Sequence, residues 1–290
     1  MQTPRKSKPL LEVMASASVL EIALKEVEME EEPFAHGGFG EVFRAKWRHK
    51  NVVVKTIRTY SEEEKQEVMG EANLTFLLNH PNVIELFGVT QVRRSLIGIV
   101  MEEAEHRSLD RWIGKIDSEQ LTKIALGIVV GLEYVHSQNV IHRDIKPQNI
   151  LMFGPKDGMI PKLADFGSAK IIERVTVQSR VGQDHYMAPE VRMSLKYGHT
   201  ADIFSLAVML LEMFNEQLIT VAPEEVKRFV FSLGRPGRKI AIPKSCNVPA
   251  YLRNVIERGF NENPERRPAI SEYQAVLAGS FCYVLSEVLL

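Results

Sequence analysis

The chain has 290 residues, 45% of them hydrophobic and 25% charged, with a formal net charge of -1. That length exceeds a small stapled module and allows one large domain or two lobes sharing a cleft, and the composition excludes a largely disordered chain. A near-neutral chain has no global field for nucleic acid or an anionic membrane, and no apolar run, Ile124 to Leu132 included, approaches the roughly 18 residues of a membrane helix. The two cysteines, Cys246 and Cys282, form neither a disulfide framework nor a metal-ligand spacing, so a reducing compartment and a cytoplasmic protein are expected.

At the N-terminus, Arg5, Lys6 and Lys8 followed by Leu10-Leu11 imitate a signal peptide, but Glu12 interrupts an apolar core that is already too short. A solvated basic arm and a short amphipathic helix are expected there. Val27 and Met29 alternate with glutamates as in a half-buried strand. A glycine turn follows at His36 to Gly40, then two strands, Glu41 to Trp47 and Asn51 to Ile57, with their turn at Arg48 to Lys50. Ser61 opens a helix with Glu62, Glu63 and Glu64 in its first turn, and Asn79-His80-Pro81-Asn82 breaks it after Leu78. Val83 to Val89 and Leu96 to Met101 read as further strands.

Beyond Ser108 the texture becomes helical. Leu121, Ile124, Ala125, Ile128, Val129, Leu132 and Val135 recur near a period of 3.6 within Ser118 to Gln138. Ala201 to Phe214 is apolar nearly all round and is expected to be buried. Helices are also predicted over Val248 to Phe260 and Ile270 to Leu290. A strand-rich front joined to a helix-rich back predicts an α+β protein of two lobes with a site between them. The apolar end from Phe281 to Leu290 either packs on the helical part or docks a partner.

The strongest signal is His142-Arg143-Asp144-Ile145-Lys146-Pro147-Gln148-Asn149, followed by Asp165-Phe166-Gly167 and then Ala188-Pro189-Glu190. In order, spacing and residue type this set resembles the protein-kinase signature, over roughly Val27 to Leu277. The resemblance implies an N-terminal extension over 1–26, a kinase N-lobe over 27–104 and a C-lobe over 105–290. It implies an enzyme that moves the γ-phosphoryl group of ATP, with Mg2+, onto a protein hydroxyl in intracellular signalling. Such transfer asks mainly for positioning and charge neutralisation. By this resemblance Asp144 orients the substrate hydroxyl, Asn149 and Asp165 hold magnesium, and Lys146 balances charge on the transferred group. Lys146 also points to a serine/threonine kinase, since tyrosine kinases usually lack a lysine there; the texture is similar to that of the tyrosine-kinase-like group.

The nucleotide lid resembles Ala35 to Val42, with Gly37, Gly38 and Gly40 letting the backbone approach the phosphates. Taken alone it reads equally as a glycine-rich hairpin turn; its place 15 residues before Lys55 argues for the lid. Lys55, closing an apolar valine strand, needs a partner, and the resemblance supplies Glu71, with Glu67 the rival. The adenine slot implied by the family has Val42 and Val53 above and Leu151 below. Met101 guards its back, Glu102 and Ala104 offer backbone bonds, and Ser108 lies near the ribose. Asp202 is expected to accept bonds from the backbone at His142 and Arg143, Arg267 to pair with Glu190, and Phe166 to stack with His142.

Four positions depart from the family pattern: Ala35 replaces a glycine, Val53 an alanine, Thr75 a hydrophobic residue and Gln183 a threonine. They lean toward a catalytically weak scaffold, and Gln183 leaves dual specificity open. The presence of Lys55, Asp144, Asn149 and Asp165 argues for an active enzyme, and the segment Gly182 to Glu190 for a peptide rather than a small-molecule substrate. Ser168 to Val181 corresponds to an activation loop. Phosphorylation at Ser179 or Thr176, by another kinase or by the chain itself, is expected to order it through Arg143.

Overall fold

The computed structural model describes Leu10 and residues 18–37, 40–171, 185–234 and 240–287. It divides into two compact units, Met1–Ala104 and Glu105–Leu290.

The first unit is a six-stranded antiparallel sheet and one helix. The strands are β1 (Val27–Met29), β2 (Ala35–Gly37), β3 (Gly40–Trp47), β4 (Lys50–Arg58), β5 (Leu86–Arg93) and β6 (Leu96–Glu102), in the order β1-β3-β4-β6-β5, with β2 paired to β3. Arg48 and His49 make the β3–β4 turn with φ of 48° and 67°, the left-handed pair that a two-residue hairpin turn demands. Helix α1 (Glu62–Leu77) starts where Ser61 predicts: the Ser61 hydroxyl accepts from Glu64 N–H at 3.1 Å, and the Glu64 carboxylate accepts from Tyr60 N–H at 2.7 Å. One sheet face packs Ala72, Val68, Met69 and Phe76 of α1 against Val89, Ile97 and Ile99. The other buries Val52, Val54, Ala45, Trp47 and Val100.

Strand β5 begins three residues later than the apolar run and continues through Thr90, Gln91 and Arg93. Val83 and Ile84 are buried ahead of the strand, and the polar residues beyond Val89 continue the ladder with β6 despite two register shifts. Apolar content alone therefore misplaced both ends. Within the stretch read as an extension, Val19 and Ile22 are buried in this unit's core. Val89 N–H donates to Leu20 O at 2.8 Å and Ile22 N–H to Val89 O at 2.7 Å, so residues 20–22 lie along β5 as a strap. Gly88 permits this approach, because a Cβ there would fall 2.5 Å from Leu20 O.

The second unit is mainly helical: α2 (Ser118–Ser137), α3 (Pro189–Arg192), α4 (Thr200–Phe214), α5 (Glu224–Phe231), α6 (Ala250–Gly259) and α7 (Ile270–Glu287). Asp117 caps α2 by accepting from Gln120 N–H at 2.9 Å, and the seven predicted apolar positions of α2 are all buried. Every residue of α4 from Ala201 to Phe214 is buried. Two short pairs, β7 (Val140–Ile141) with β10 (Lys170–Ile171) and β8 (Ile150–Phe153) with β9 (Ile160–Leu163), brace the loops between α2 and α3. Helix α7 is described to Glu287; the side chains of the apolar end from Phe281 lie outside the described residues.

Two buried contacts fix the segment 185–190 to this unit. Arg267 grips Glu190 with two parallel bonds, at 2.6 and 2.7 Å, and also donates to Thr200 O at 2.8 Å. The Tyr186 hydroxyl donates to Glu212, whose other oxygen accepts Ile219 N–H at 2.7 Å, while Ser205 Oγ donates to Tyr186 O at 2.8 Å. Burial raises the Glu212 carboxyl from 4.5 to about 7, with the nearby Asp110 charge pushing the same way.

Arg267→Ala leaves the Glu190 carboxylate buried and unpaired. It is expected to lower the unfolding free energy by about 3–5 kcal/mol in urea denaturation. Because Glu212 holds its proton more tightly when folded, its stabilising contribution is complete below about pH 4.5 and is lost as pH rises through about 7. Between pH 5 and pH 8 the wild type should therefore lose about 1–3 kcal/mol relative to Glu212→Gln.

Candidate active site

In the first unit the ladder registers collect several of the predicted residues on one sheet face. Val42 pairs with Lys55 and Val53 with Met101, and in antiparallel pairs directly opposed side chains share a face. Alternation along β4 sends Val52 and Val54, both 0% exposed, into the opposite core and leaves Val53 and the half-buried Lys55 on the face covered by α1. On α1, Glu71 is half-buried beside the buried Ala72 and Thr75, whereas Glu67 is exposed. Thr75 is occupied locally, its hydroxyl donating to Glu71 O at 3.0 Å.

Ala35 faces Val42 and Gly37 faces Gly40 across the β2–β3 hairpin. Gly40 has φ +148°, and a Cβ there would lie 1.7 Å from Thr56 O, so no other residue fits. Gly38 lies outside the described residues. At the end of β6 the Glu102 N–H donates to Glu85 O at 3.1 Å.

In the second unit the signature loop hangs from α4. Asp202, 0% exposed, accepts from His142 N–H at 2.9 Å and Arg143 N–H at 2.8 Å, as expected, and additionally bonds His136 Nε2 at 2.8 Å. His142 is fully buried, and desolvation pulls its imidazole below the ordinary range despite the nearby Asp202, Asp144 and Asp165 charges. Its contacts fit a neutral ring: Nε2 donates to Ala164 O at 3.0 Å, and Nδ1 accepts from Asp144 N–H at 3.4 Å. The ring lies 4.8 Å from that of Phe166 at 56°, tilted rather than stacked.

The next residues converge on one carboxylate. Asp144 Oδ2 receives Lys146 Nζ at 2.7 Å and Asn149 Nδ2 at 2.7 Å, and the same amide donates to Asp144 O at 2.8 Å. The carboxylate is thus fixed in orientation, and among the described residues its Oδ1 keeps no such partner. Asn149 spends its nitrogen on Asp144, so Oδ1 is the atom it can offer a cation. Ala164 N–H donates to Asn149 O at 2.9 Å, tying Asn149 to the segment that ends in Asp165. Asp165 adopts φ 61°, ψ 68° and Arg143 φ 68°, left-handed conformations that cost a non-glycine residue about 1–2 kcal/mol and that cluster at functional sites. Leu151 pairs with Ser108 in an isolated bridge, braced by Met152 N–H to Arg107 O at 2.8 Å.

Sequence reasoning missed three partners. They are His136 on Asp202, Tyr197, whose hydroxyl accepts from Arg143 Nη1 at 3.0 Å, and Glu212 on Tyr186. Arg143 Nε also donates to Ser168 O. Each partner is a single polar residue within an apolar or mixed run, with no spacing that distinguishes it. Thr176, Ser179 and Gln183 lie outside the described residues.

The family model described as protein kinase domain matches residues 30–277. The chain is 30% identical to the serine/threonine/tyrosine-protein kinase HT1 of Arabidopsis thaliana, over 84% of this chain and 64% of that protein. It is likewise 30% identical to mitogen-activated protein kinase kinase kinase 10 of Xenopus laevis, over 87% of this chain and 26% of that protein. Identity to mitogen-activated protein kinase kinase kinase 11 of Homo sapiens is also 30%, over 94% of this chain and 33% of that protein. The chain therefore spans less than two thirds of the length of these relatives. With its signature residues gathered as described, it belongs to the protein kinase domain family.

Proposed function

We propose that the chain transfers the γ-phosphoryl group of ATP to serine or threonine hydroxyls of protein substrates. The observation that carries this reading is the Asp144 carboxylate, held through one oxygen by Lys146 and Asn149 on a loop suspended from Asp202. Its other oxygen is the acceptor for a substrate hydroxyl, orienting that oxygen for in-line attack. Lys146, in contact with Asp144, is placed to balance charge on the phosphoryl group as it transfers. Lys55, steadied by Glu71, meets the α- and β-phosphates, and the Ala35–Val42 hairpin covers them through Gly37, Gly38 and Gly40. Val42, Val53 and Met101 pack the base, with Glu102 and Ala104 at its edge; Leu151 and Ser108 keep the base-packing and ribose roles that the family resemblance implies. Val53 narrows the slot by two methyl groups relative to the usual alanine and is expected to weaken ATP binding.

The donor set fits magnesium. Asn149 Oδ1 and the Asp165 carboxylate are hard oxygen ligands, and one or two protein ligands plus phosphates and water suffice for that ion. When bound, Mg2+ neutralises charge on the phosphates. The protein's share is to hold Asn149 by its nitrogen, which leaves its Oδ1 for the cation, and to fix the backbone of Asp165.

The relatives' names support a place in an intracellular phosphorylation cascade, with an activating kinase or the chain itself modifying Ser179 or Thr176. The absence of a membrane-length apolar helix among the described residues is compatible with a cytoplasmic setting. A silent scaffold has no chemical need for the Asp144–Lys146–Asn149 arrangement, so that reading is the weaker one.

With γ-labelled ATP and Mg2+, the wild type should label a generic protein substrate on serine and threonine. Asp144→Asn should lower the rate by about 100-fold or more. Label on tyrosine would overturn the specificity, and equal transfer by the variant would remove Asp144 from the centre.

A further inference from the structure

Two histidines outside the signature loop pack face to face. His136 lies in the last turn of α2, with its side chain 9% exposed, and His199 directly precedes α4. Their ring centroids are 4.3 Å apart, with 20° between the planes. His136 spends Nε2 on Asp202 Oδ2 at 2.8 Å. The His199 ring is bonded to the Val140 main chain, and its Nε2 is buried with no hydrogen-bond partner among the described residues. The His199 carbonyl accepts Asp202 N–H at 3.0 Å. One residue thus touches β7, His136 and Asp202, the groups that flank the loop carrying Asp144.

A buried nitrogen without a partner costs free energy, so Nε2 is no reason for a histidine here and the ring acts through its face. Burial, and then the neighbouring His136, push the His199 imidazole down to about 4. At neutral pH the ring is therefore uncharged and lies on His136 without repulsion. The second side-chain torsion of histidine is broad, so packing must choose its setting. A quarter turn of the His136 ring would take Nε2 off Asp202. It would also drive the ring edge into the His199 plane, since rings at this spacing leave no gap between them. Asp202 Oδ2 accepts from His142 N–H as well, at 2.9 Å, and a buried carboxylate that loses a donor no longer holds its remaining partners at low cost.

We propose that His199 is a positioning residue for phosphoryl transfer: its ring face pins His136 in the setting that donates to Asp202, and so keeps the backbone from His142 to Asp144 in place. The kinetic consequence rests on the phosphoryl-transfer reading; the hold on His136 does not.

Two readouts on the whole chain test this. The first is the nitrogen–proton correlation spectrum of the His136 ring, where the bond to Asp202 should keep the Nε2 proton in slow exchange. His199→Ala should lose that signal. His199→Phe, which restores a flat face, should retain it, and His199→Leu, which fills the space without one, should not. The second is single-turnover transfer: His199→Ala should be slower by about tenfold with the KM for ATP unchanged, and His199→Phe should recover most of the rate. In a His136→Ala background, His199→Ala should cost nothing further. The comparison of His199→Phe with His199→Leu decides the matter if His199→Ala fails to fold. A His136 signal that survives His199→Ala, equal recovery by Leu and Phe, or an undiminished cost of His199→Ala in the His136→Ala background would overturn the proposal. A wild type that transfers no phosphoryl group would overturn the phosphoryl-transfer reading instead, and loss of the His136 signal in His199→Ala would still uphold the positioning.

Discussion

The geometry of the second unit depends on one buried carboxylate. Asp202 sits in a helix that is apolar on every side, and burial alone would push its carboxyl up. The bond and charge of His136, with the nearby His142 ring and its backbone N–H, outweigh that and hold it below the ordinary range. A charge that is costly to bury becomes tolerable only when this set of donors is complete. The same requirement fixes the loop: with His142 and Arg143 tied by their backbones, Arg143 turns left-handed and Asp144 follows in one orientation. Lys146 and Asn149 then close on Asp144, and Ala164 brings the Asp165 segment alongside through Asn149.

The first unit solves its positioning problem differently. Among its described residues no buried charge organises it; strand alternation does. Three consecutive valines, Val52 to Val54, divide between two faces, and the next residue, Lys55, falls with Val53 on the side facing α1. Register with β3 and β6 then sets Val42 and Met101 on that side as well. Gly40 marks where two backbones come too close for any side chain.

Much of this was legible in the sequence, for identifiable reasons. Ser61 and its three glutamates announce a helix start by local hydrogen bonding alone. The period of α2 and the uniform apolarity of α4 follow from burial. The pairs Asp202 with the signature loop and Arg267 with Glu190 were expected from the ordered motifs rather than from any local pattern. The sequence was least informative where structure depends on backbone pairing between unremarkable residues. The strap at Leu20–Ile22 has no strand-like run, and its place on β5 rests on Gly88, whose role appears only once both chains are in position. The ends of β5 were misread because Thr90 and Gln91 continue a ladder that apolar content does not mark. The pairing of Tyr186 with Glu212 spans 26 residues and two apolar segments, with no periodicity to join them.

The central claim is that the Asp202 carboxylate holds the catalytic loop in its working geometry, and Asp202→Asn tests it most directly. The amide keeps the shape but turns one acceptor into a donor facing a backbone N–H. In single-turnover phosphoryl transfer at saturating ATP, the folded variant should be slower by about 100-fold or more, since a misplacement of about 1 Å at a reacting group costs that much. Transfer at the wild-type rate by a variant with a native circular-dichroism spectrum would contradict the account.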